Sequence, residues 1–261
     1  MKLSVAYMTH KGLEKYECNQ DSIMLNGVLF SKTSMVNPEE MNIYSDDSSV
    51  LFALSDGMGN TPHAEVASGK VLELLDTFSK EQTSFLPMKT VRKIQDSLEN
   101  IAIVTPKYRG MGATLAGVYL QEDQVIVFNT GDSRIYRIRE NKMVQLSKDH
   151  TQVQKMLDCK EITKEEFENL SSAYNMLEGY LVAGELDEDE VLVEVKKEAL
   201  QTGDTFLVCS DGVHDVLSDE KILQVLNQRD TTIEKCKFLF ESVYAVAEDN
   251  ISIILITYDA W

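Results

Sequence analysis

The chain has 261 residues, 43% of them hydrophobic and 26% charged, a balance that supports a sizeable core and excludes a disordered chain. Its 43 acidic against 25 basic residues leave a net charge of −18, which opposes binding to nucleic acid or to an anionic membrane. No apolar run approaches the roughly 20 residues of a membrane span, the first ten residues carry no signal-peptide core, and Cys18, Cys159, Cys209 and Cys236 form no C-x-x-C pair, so we expect reduced thiols and a cytoplasmic address.

Residues 2–9 read as a first strand, and a second apolar stretch at 23–30 follows Asn19-Gln20-Asp21-Ser22. Residues 35–49 are polar, with Asp46-Asp47-Ser48-Ser49 as a turn. Residues 50–54 are apolar without polar alternation, the pattern of a strand buried on both faces, and end in Ser55-Asp56-Gly57-Met58-Gly59. Val66, Val71, Leu72, Leu75 and Phe78 recur at helical spacing after Pro62, and a second helical pattern runs over 87–104. Strands follow at 114–120, 124–129 and 133–139, turning at Glu122-Asp123 and Thr130-Gly131-Asp132, and a hairpin at Asn141-Lys142 leads into 144–146. Residues 149–177 are mostly helical, with a capping box at Thr163 and Glu166. After an acidic turn at 186–190 come strands at 191–195 and 205–209, helices at 218–227 and 231–247, and a last strand at 251–257. No repeat or linker interrupts this order, so residues 1–261 read as one α+β domain with sheets layered between helices.

The acidic residues recur in one context. Asp56 and Asp211 each end an apolar strand and precede a glycine, Asp132 follows Gly131 at a strand-to-strand turn, Asp249 immediately precedes the last strand, and Asp21 borders the second. A carboxylate at the end of a buried strand is costly without a positive partner, and no Lys or Arg follows Asp56 until Lys70. Carboxylates that converge at strand ends stay ionised together only with cations between them. Ligation by oxygen alone favours Mg²⁺ or Mn²⁺ over zinc, since neither Cys nor His recurs at ligand spacing. Each of these residues also has a plainer reading. A lone Asp-Gly is a turn, Asp132 suits a pairing with Arg134, and Asp249-Asn250 suits a loop. His63, His150 and His214 read as surface or satisfied polar groups.

Taken in order, Asn19-Gln20-Asp21-Ser22, Ser55-Asp56-Gly57-Met58-Gly59, Gly110-Met111-Gly112-Ala113-Thr114, Gly131-Asp132-Ser133-Arg134, Leu146-Ser147-Lys148-Asp149-His150, Ser210-Asp211-Gly212 and Asp249-Asn250 resemble the motifs of type 2C protein phosphatases. These are the metal-dependent (PPM) serine/threonine phosphatases, here in their compact bacterial form, and the resemblance spans roughly residues 19–257. It implies an α-β-β-α sandwich of two mostly antiparallel sheets flanked by helix pairs. It further implies a monomer that hydrolyses phosphoserine and phosphothreonine on a phosphorylated protein partner, opposing a serine/threonine kinase. Two divalent ions, Mn²⁺ or Mg²⁺, are implied, with Asp56, Asp211 and Asp249 on the first and Asp21, Asp56 and the Gly57 carbonyl on the second. Asp56, Asp211 and Asp249 are then the catalytic carboxylates, and Asp132 with Asp211 forms a third, weaker site. Two divalent ions sharing a water lower its pKa, and the resulting hydroxide attacks phosphorus in line with the leaving oxygen, so no protein nucleophile is needed. Cys209 reads as core, and residues 152–183 as a flap beside the active site.

The sequence departs from the family pattern at three places. An Arg that grips the substrate phosphate usually stands five residues before the first aspartate; Tyr16 stands there, so Lys15 and Tyr16 are the candidates for that role. Neighbouring residues on a strand point to opposite faces, so Lys15 needs a bulge or register shift to serve. Gly112-Ala113-Thr114 replaces Gly-Thr-Thr, a change expected to touch packing more than chemistry. His63 falls two residues later than the His of many relatives and is a secondary candidate for proton donation to the leaving oxygen. Tyr16 in place of Arg also supports a second reading, a weakly active or inactive module that binds phosphoproteins, against which stands the full set of carboxylates.

Overall fold

The computed structural model describes residues 1–13, 17–44, 49–82, 84–170, 176–184, 186 and 191–259. In chain order these form β1 (Lys2–His10), β2 (Ser22–Leu25), β3 (Val28–Ser31), β4 (Glu39–Tyr44), β5 (Ser49–Ser55), α1 (Ala64–Lys80) and α2 (Pro87–Val104). A short 3-10 turn then leads to β6 (Gly112–Ala113), β7 (Leu115–Gln121), β8 (Gln124–Thr130), β9 (Arg134–Arg139) and β10 (Lys142–Gln145). The remainder comprises α3 (Gln152–Asp158), α4 (Lys164–Leu170), β11 (Leu181–Val182), β12 (Glu194–Ala199), β13 (Thr205–Cys209), α5 (Asp211–His214), α6 (Asp219–Asn227), α7 (Thr232–Tyr244) and β14 (Ile251–Asp259).

Two antiparallel six-stranded sheets stack face to face. The first runs β10-β9-β13-β14-β1-β4 and the second β12-β8-β7-β5-β2-β3, with β6 and β11 forming a small separate ribbon. Alternation along β5 explains the layering: Val50, Phe52 and Leu54 enter the core between the sheets, while Leu51 and Ala53 face the core under α1 and α2. On the far side α7 packs on β1 and β14, so the layers are helix, sheet, sheet, helix. Gly117 lies opposite Phe128 on the neighbouring strand, and a Cβ there would meet the Phe128 ring at 2.1 Å, so the aromatic ring closes over a residue that must lack a side chain. Among the described residues no helix is long and apolar enough to cross a membrane, and all four cysteines are free thiols, with Cys209 wholly buried as expected.

Three of the differences from the sequence expectation have a clear physical reason. The apolar stretch at 23–30 is two strands, because Asn26 and Gly27 take φ of 48° and 89° and turn the chain into a tight hairpin. β4 falls in the stretch read as polar. As an edge strand it turns only Met41 and Ile43 inward while its charged residues stay exposed. The strand expected at 191–195 begins instead at Glu194 and runs to Ala199, pairing with β8 along a half-exposed edge whose composition is mostly charged. The Thr163–Glu166 capping box forms as expected, the Glu166 N–H donating to Thr163 Oγ1 at 3.2 Å and the Thr163 N–H to Glu166 Oε2 at 2.8 Å. Lys15, Tyr16, most of the expected turn at 46–49, residues 187–190 and the middle of the expected flap (171–175) lie outside the described residues.

Candidate active site

The topology brings all five expected carboxylates to one end of the sandwich. Asp21 enters β2 and Asp56 leaves β5, both in the second sheet. Asp211 leaves β13 as the first residue of α5, and Asp249 precedes β14, both in the first sheet. Asp132 lies on the β8–β9 connection that crosses between the sheets. Asp56, Gly57, Asp132, Asp211 and Asp249 line a pocket of about 620 Å³, and no Lys, Arg or His is among its described lining residues. Asp21 sits behind this wall, fully buried.

Local hydrogen bonds explain how each strand end is held. The Asp56 N–H donates to Thr114 Oγ1 at 3.1 Å, the Thr114 N–H donates back to the Asp56 carbonyl at 2.8 Å, and the Ser55 hydroxyl donates to the Thr114 carbonyl at 2.6 Å. Gly57 packs so tightly that a Cβ would lie 2.3 Å from the Ala64 carbonyl oxygen, which is why the chain needs a glycine after Asp56. Gly212 is equally constrained, its Cβ position lying 2.0 Å from the Asn250 carbonyl oxygen. Buried Asn250 ties three segments together: its Nδ2 donates to the Lys11 carbonyl at 2.9 Å, and its Oδ1 accepts from the Gln20 N–H at 2.8 Å. Asn19 does the same one step away, donating to Thr9 Oγ1 and to the Thr33 carbonyl while accepting the Asp21 N–H at 3.1 Å.

The electrostatics of the pocket are strained without counter-charge. Burial is the largest cause raising the Asp56 carboxyl well above the ordinary range, followed by the charges of Asp21, Asp211, Asp249 and Asp132. Asp211 is raised in the same way, by burial and then by Asp132 and Asp249. Asp21 rises to about 6 through burial, opposed by the hydroxyls of Ser252 and Ser210. Asp132 also rises to about 6 through burial, opposed by the nearby His214. Both Asp21 carboxylate oxygens and Asp211 Oδ1 are buried without a well-formed hydrogen bond. Among the described residues no three acidic, His or Cys side chains close into a ready ligand cage; the carboxylates stand around a pocket. An all-oxygen donor set with orphaned buried oxygens and no basic side chain among the described lining residues fits hard divalent cations such as Mg²⁺ or Mn²⁺.

The other candidates resolve unevenly. His63 does not line the pocket. It precedes α1 with φ of 55° and stacks edge-on against Tyr108 at 5.3 Å. Arg134 makes its paired hydrogen bonds with Asp149, at 2.9 and 2.7 Å, rather than with Asp132, which leaves Asp132 available to the pocket. From the expected flap, Met176, Leu177 and Tyr180 border the pocket. Sequence reasoning missed Thr114, Asn250, Asn19 and His214 as supports of the site. The signal for Asn19 and Asn250 was a polar residue beside an aspartate at a strand end, where backbone groups need partners; Thr114 reaches Asp56 from 58 positions away and had no such local signal.

A family model for protein phosphatase 2C matches residues 40–245. The chain is 30% identical to the serine/threonine phosphatase stp of Listeria monocytogenes over 222 residues, 82% of this chain and 86% of that one. The crystal structure of the Mycobacterium tuberculosis serine/threonine phosphatase PstP/Ppp superposes with a TM-score of 0.77 at 26% identity, covering 100% of both chains. A structure of the PstP catalytic domain in complex with two manganese ions gives a TM-score of 0.74 at 25% identity, again over 100% of both chains. The layered sheets, the order of the aspartate motifs and these likenesses agree: the chain belongs to the protein phosphatase 2C family.

Proposed function

We propose that this protein hydrolyses phosphoserine and phosphothreonine on protein substrates at the pocket lined by Asp56, Asp132, Asp211 and Asp249. The carrying observation is that four carboxylates from both sheets and their connection line one pocket whose described lining includes no basic residue, with Asp21 behind them, its oxygens buried and unsatisfied. Asp56, Asp211 and Asp249 would hold one divalent ion, and Asp21, Asp56 and the Gly57 carbonyl the other, with Asp132 and Asp211 at a weaker third position; the PstP structure with two manganese ions supports this reading. Bound there, the ions would supply charge neutralisation at the phosphoryl group and water activation near neutral pH. The chain's own residues fix the geometry: Thr114 locks Asp56, Asn19 and Asn250 lock the approach to Asp21, and Gly57 and Gly212 let the backbone close around the pocket.

Lys15 and Tyr16 are the candidates for gripping the substrate phosphate. We further read the whole chain as one catalytic domain, acting as a monomer against a serine/threonine kinase or its targets. The four free thiols fit a reducing, cytoplasmic compartment. The test is hydrolysis of p-nitrophenyl phosphate and of a phosphothreonine peptide with added Mn²⁺. Turnover that disappears with chelator supports the reading, and no turnover by folded, cation-binding protein overturns it.

A further inference from the structure

We propose that His214 is a positioning residue that sets the spacing of Asp132 and Asp211, and through it the cation affinity of that side of the pocket. The inference rests on the reading of Asp132 and Asp211 as a cation-binding pair. α5 is a single turn that begins at Asp211 and ends at His214, so the two residues are three apart and share a helix face. The His214 side chain is 3% exposed. Its Nε2 lies 3.1 Å from the backbone carbonyl of Asp132, and its Nδ1 lies 3.4 Å from Asp215 Oδ1. With the proton on Nε2 the ring donates to that carbonyl, and α5 is thereby tied across to the β8–β9 connection.

The Gly131–Asp132 turn is held from its other flank as well. The Gly131 N–H donates to His150 Nδ1 at 3.3 Å, and the His150 N–H donates to the Gly131 carbonyl at 3.0 Å. Gly131 takes φ of 104°, a conformation open to glycine without steric cost. Two imidazoles therefore clamp one turn, and only the His214 side reaches directly from the helix that carries Asp211. A buried imidazole must satisfy its N–H somewhere, and this one meets the backbone carbonyl of Asp132, the residue whose side chain faces Asp211 across the pocket.

The test compares His214→Phe, which fills the space without a donor, with His214→Gln, which offers an amide N–H near the position of Nε2. Mn²⁺ binding is followed by calorimetry and by the rise in melting temperature that Mn²⁺ produces, with Asp132→Asn as the reference. We expect His214→Phe to lose about tenfold in affinity for the weakest-binding Mn²⁺, as loss of a supporting partner commonly does, and His214→Gln to stay within about twofold of the wild type. Should His214→Phe fail to fold, His214→Met serves in its place. Wild-type binding by the donor-free variant, or equal losses in it and in His214→Gln, overturns the proposal. If Asp132→Asn binds as the wild type does, the cation reading of Asp132 falls and the proposal with it; if Asp132→Asn is weakened while His214→Phe is not, only the role of His214 falls.

Discussion

Thr114 and Asp56 are locked to each other twice, the Asp56 N–H donating to the Thr114 hydroxyl at 3.1 Å and the Thr114 N–H to the Asp56 carbonyl at 2.8 Å. The hydroxyl also shares a 2.9 Å hydrogen bond with Ser133, beside Asp132. One side chain thus supports the turns carrying two of the pocket carboxylates. Thr114→Val should leave the Asp56 N–H without its acceptor and cost roughly 1–3 kcal/mol, read as a lower urea midpoint. Thr114→Ser should retain most of that stability, and the Val variant should turn over p-nitrophenyl phosphate more slowly.

Stability and activity should part company at the carboxylates. Asp56→Asn and Asp211→Asn are each expected to abolish hydrolysis, while Asp132→Asn mainly raises the Mn²⁺ concentration needed for activity. In chelator, however, Asp56→Asn should melt at a higher temperature than the wild type, because it removes one of several mutually repelling charges from a buried site. Wild-type activity in Asp56→Asn would refute its shared position between the two ions.

Asn250 joins the loop after β1, the approach to Asp21 and the start of β14 with two hydrogen bonds. Asn250→Ala should therefore cost about 2 kcal/mol by chemical denaturation, since two half-buried backbone groups lose their partners. Mn²⁺ binding should weaken in the same variant as Asp21 loses its footing. Unchanged affinity would show that the Lys11–Gln20 tie is purely structural.

His150 supplies a pH test. Its burial pushes the imidazole down to about 4 from an ordinary 6.5. The unfolded chain then takes up this proton before the folded one does, so the contribution is complete above pH 6.5 and is lost as pH falls toward 4. The shift corresponds to about 3 kcal/mol at full titration. Asp21 and Asp132 titrate near 6 with the opposite sign, gaining stability as they are protonated, so the informative quantity is a difference. Stability measured from pH 7.5 to 4.5 should fall less steeply in His150→Gln than in the wild type; parallel curves would refute the assignment.

The layers and the carboxylates were legible from the chain because each rests on local pattern. The apolar run at Val50–Leu54 announces a strand buried on both faces, and Pro87 with its helical spacing marks α2 over the same bounds as observed. Asp56, Asp132, Asp211 and Asp249 each stand at a strand end, and strand ends are where a sandwich gathers its residues. β4 was hidden because an edge strand needs only Met41 and Ile43 to face inward, too little alternation to stand out among charged neighbours. His214 was hidden for another reason: its partner is a backbone carbonyl 82 positions earlier, and no local spacing encodes such a contact. Arg134 shows the reverse error of proximity: Asp132, two residues before it, suits a pairing by spacing, but the actual partner, Asp149, lies across a hairpin.

The site draws two of its carboxylates from each sheet and one from the segment between them. Elsewhere the layers are cross-tied along the β9–β12 edge, where Arg137 pairs with Glu198 and Arg139 donates to the Ala199 carbonyl. A cation shared by Asp56 and Asp211 would act as a rivet through the seam of the sandwich. Withdrawing it would loosen the protein at the end where it works, so the silent form would also be the form most open to proteases. Cellular supply of divalent ions would then govern how long this protein survives as well as how fast it acts.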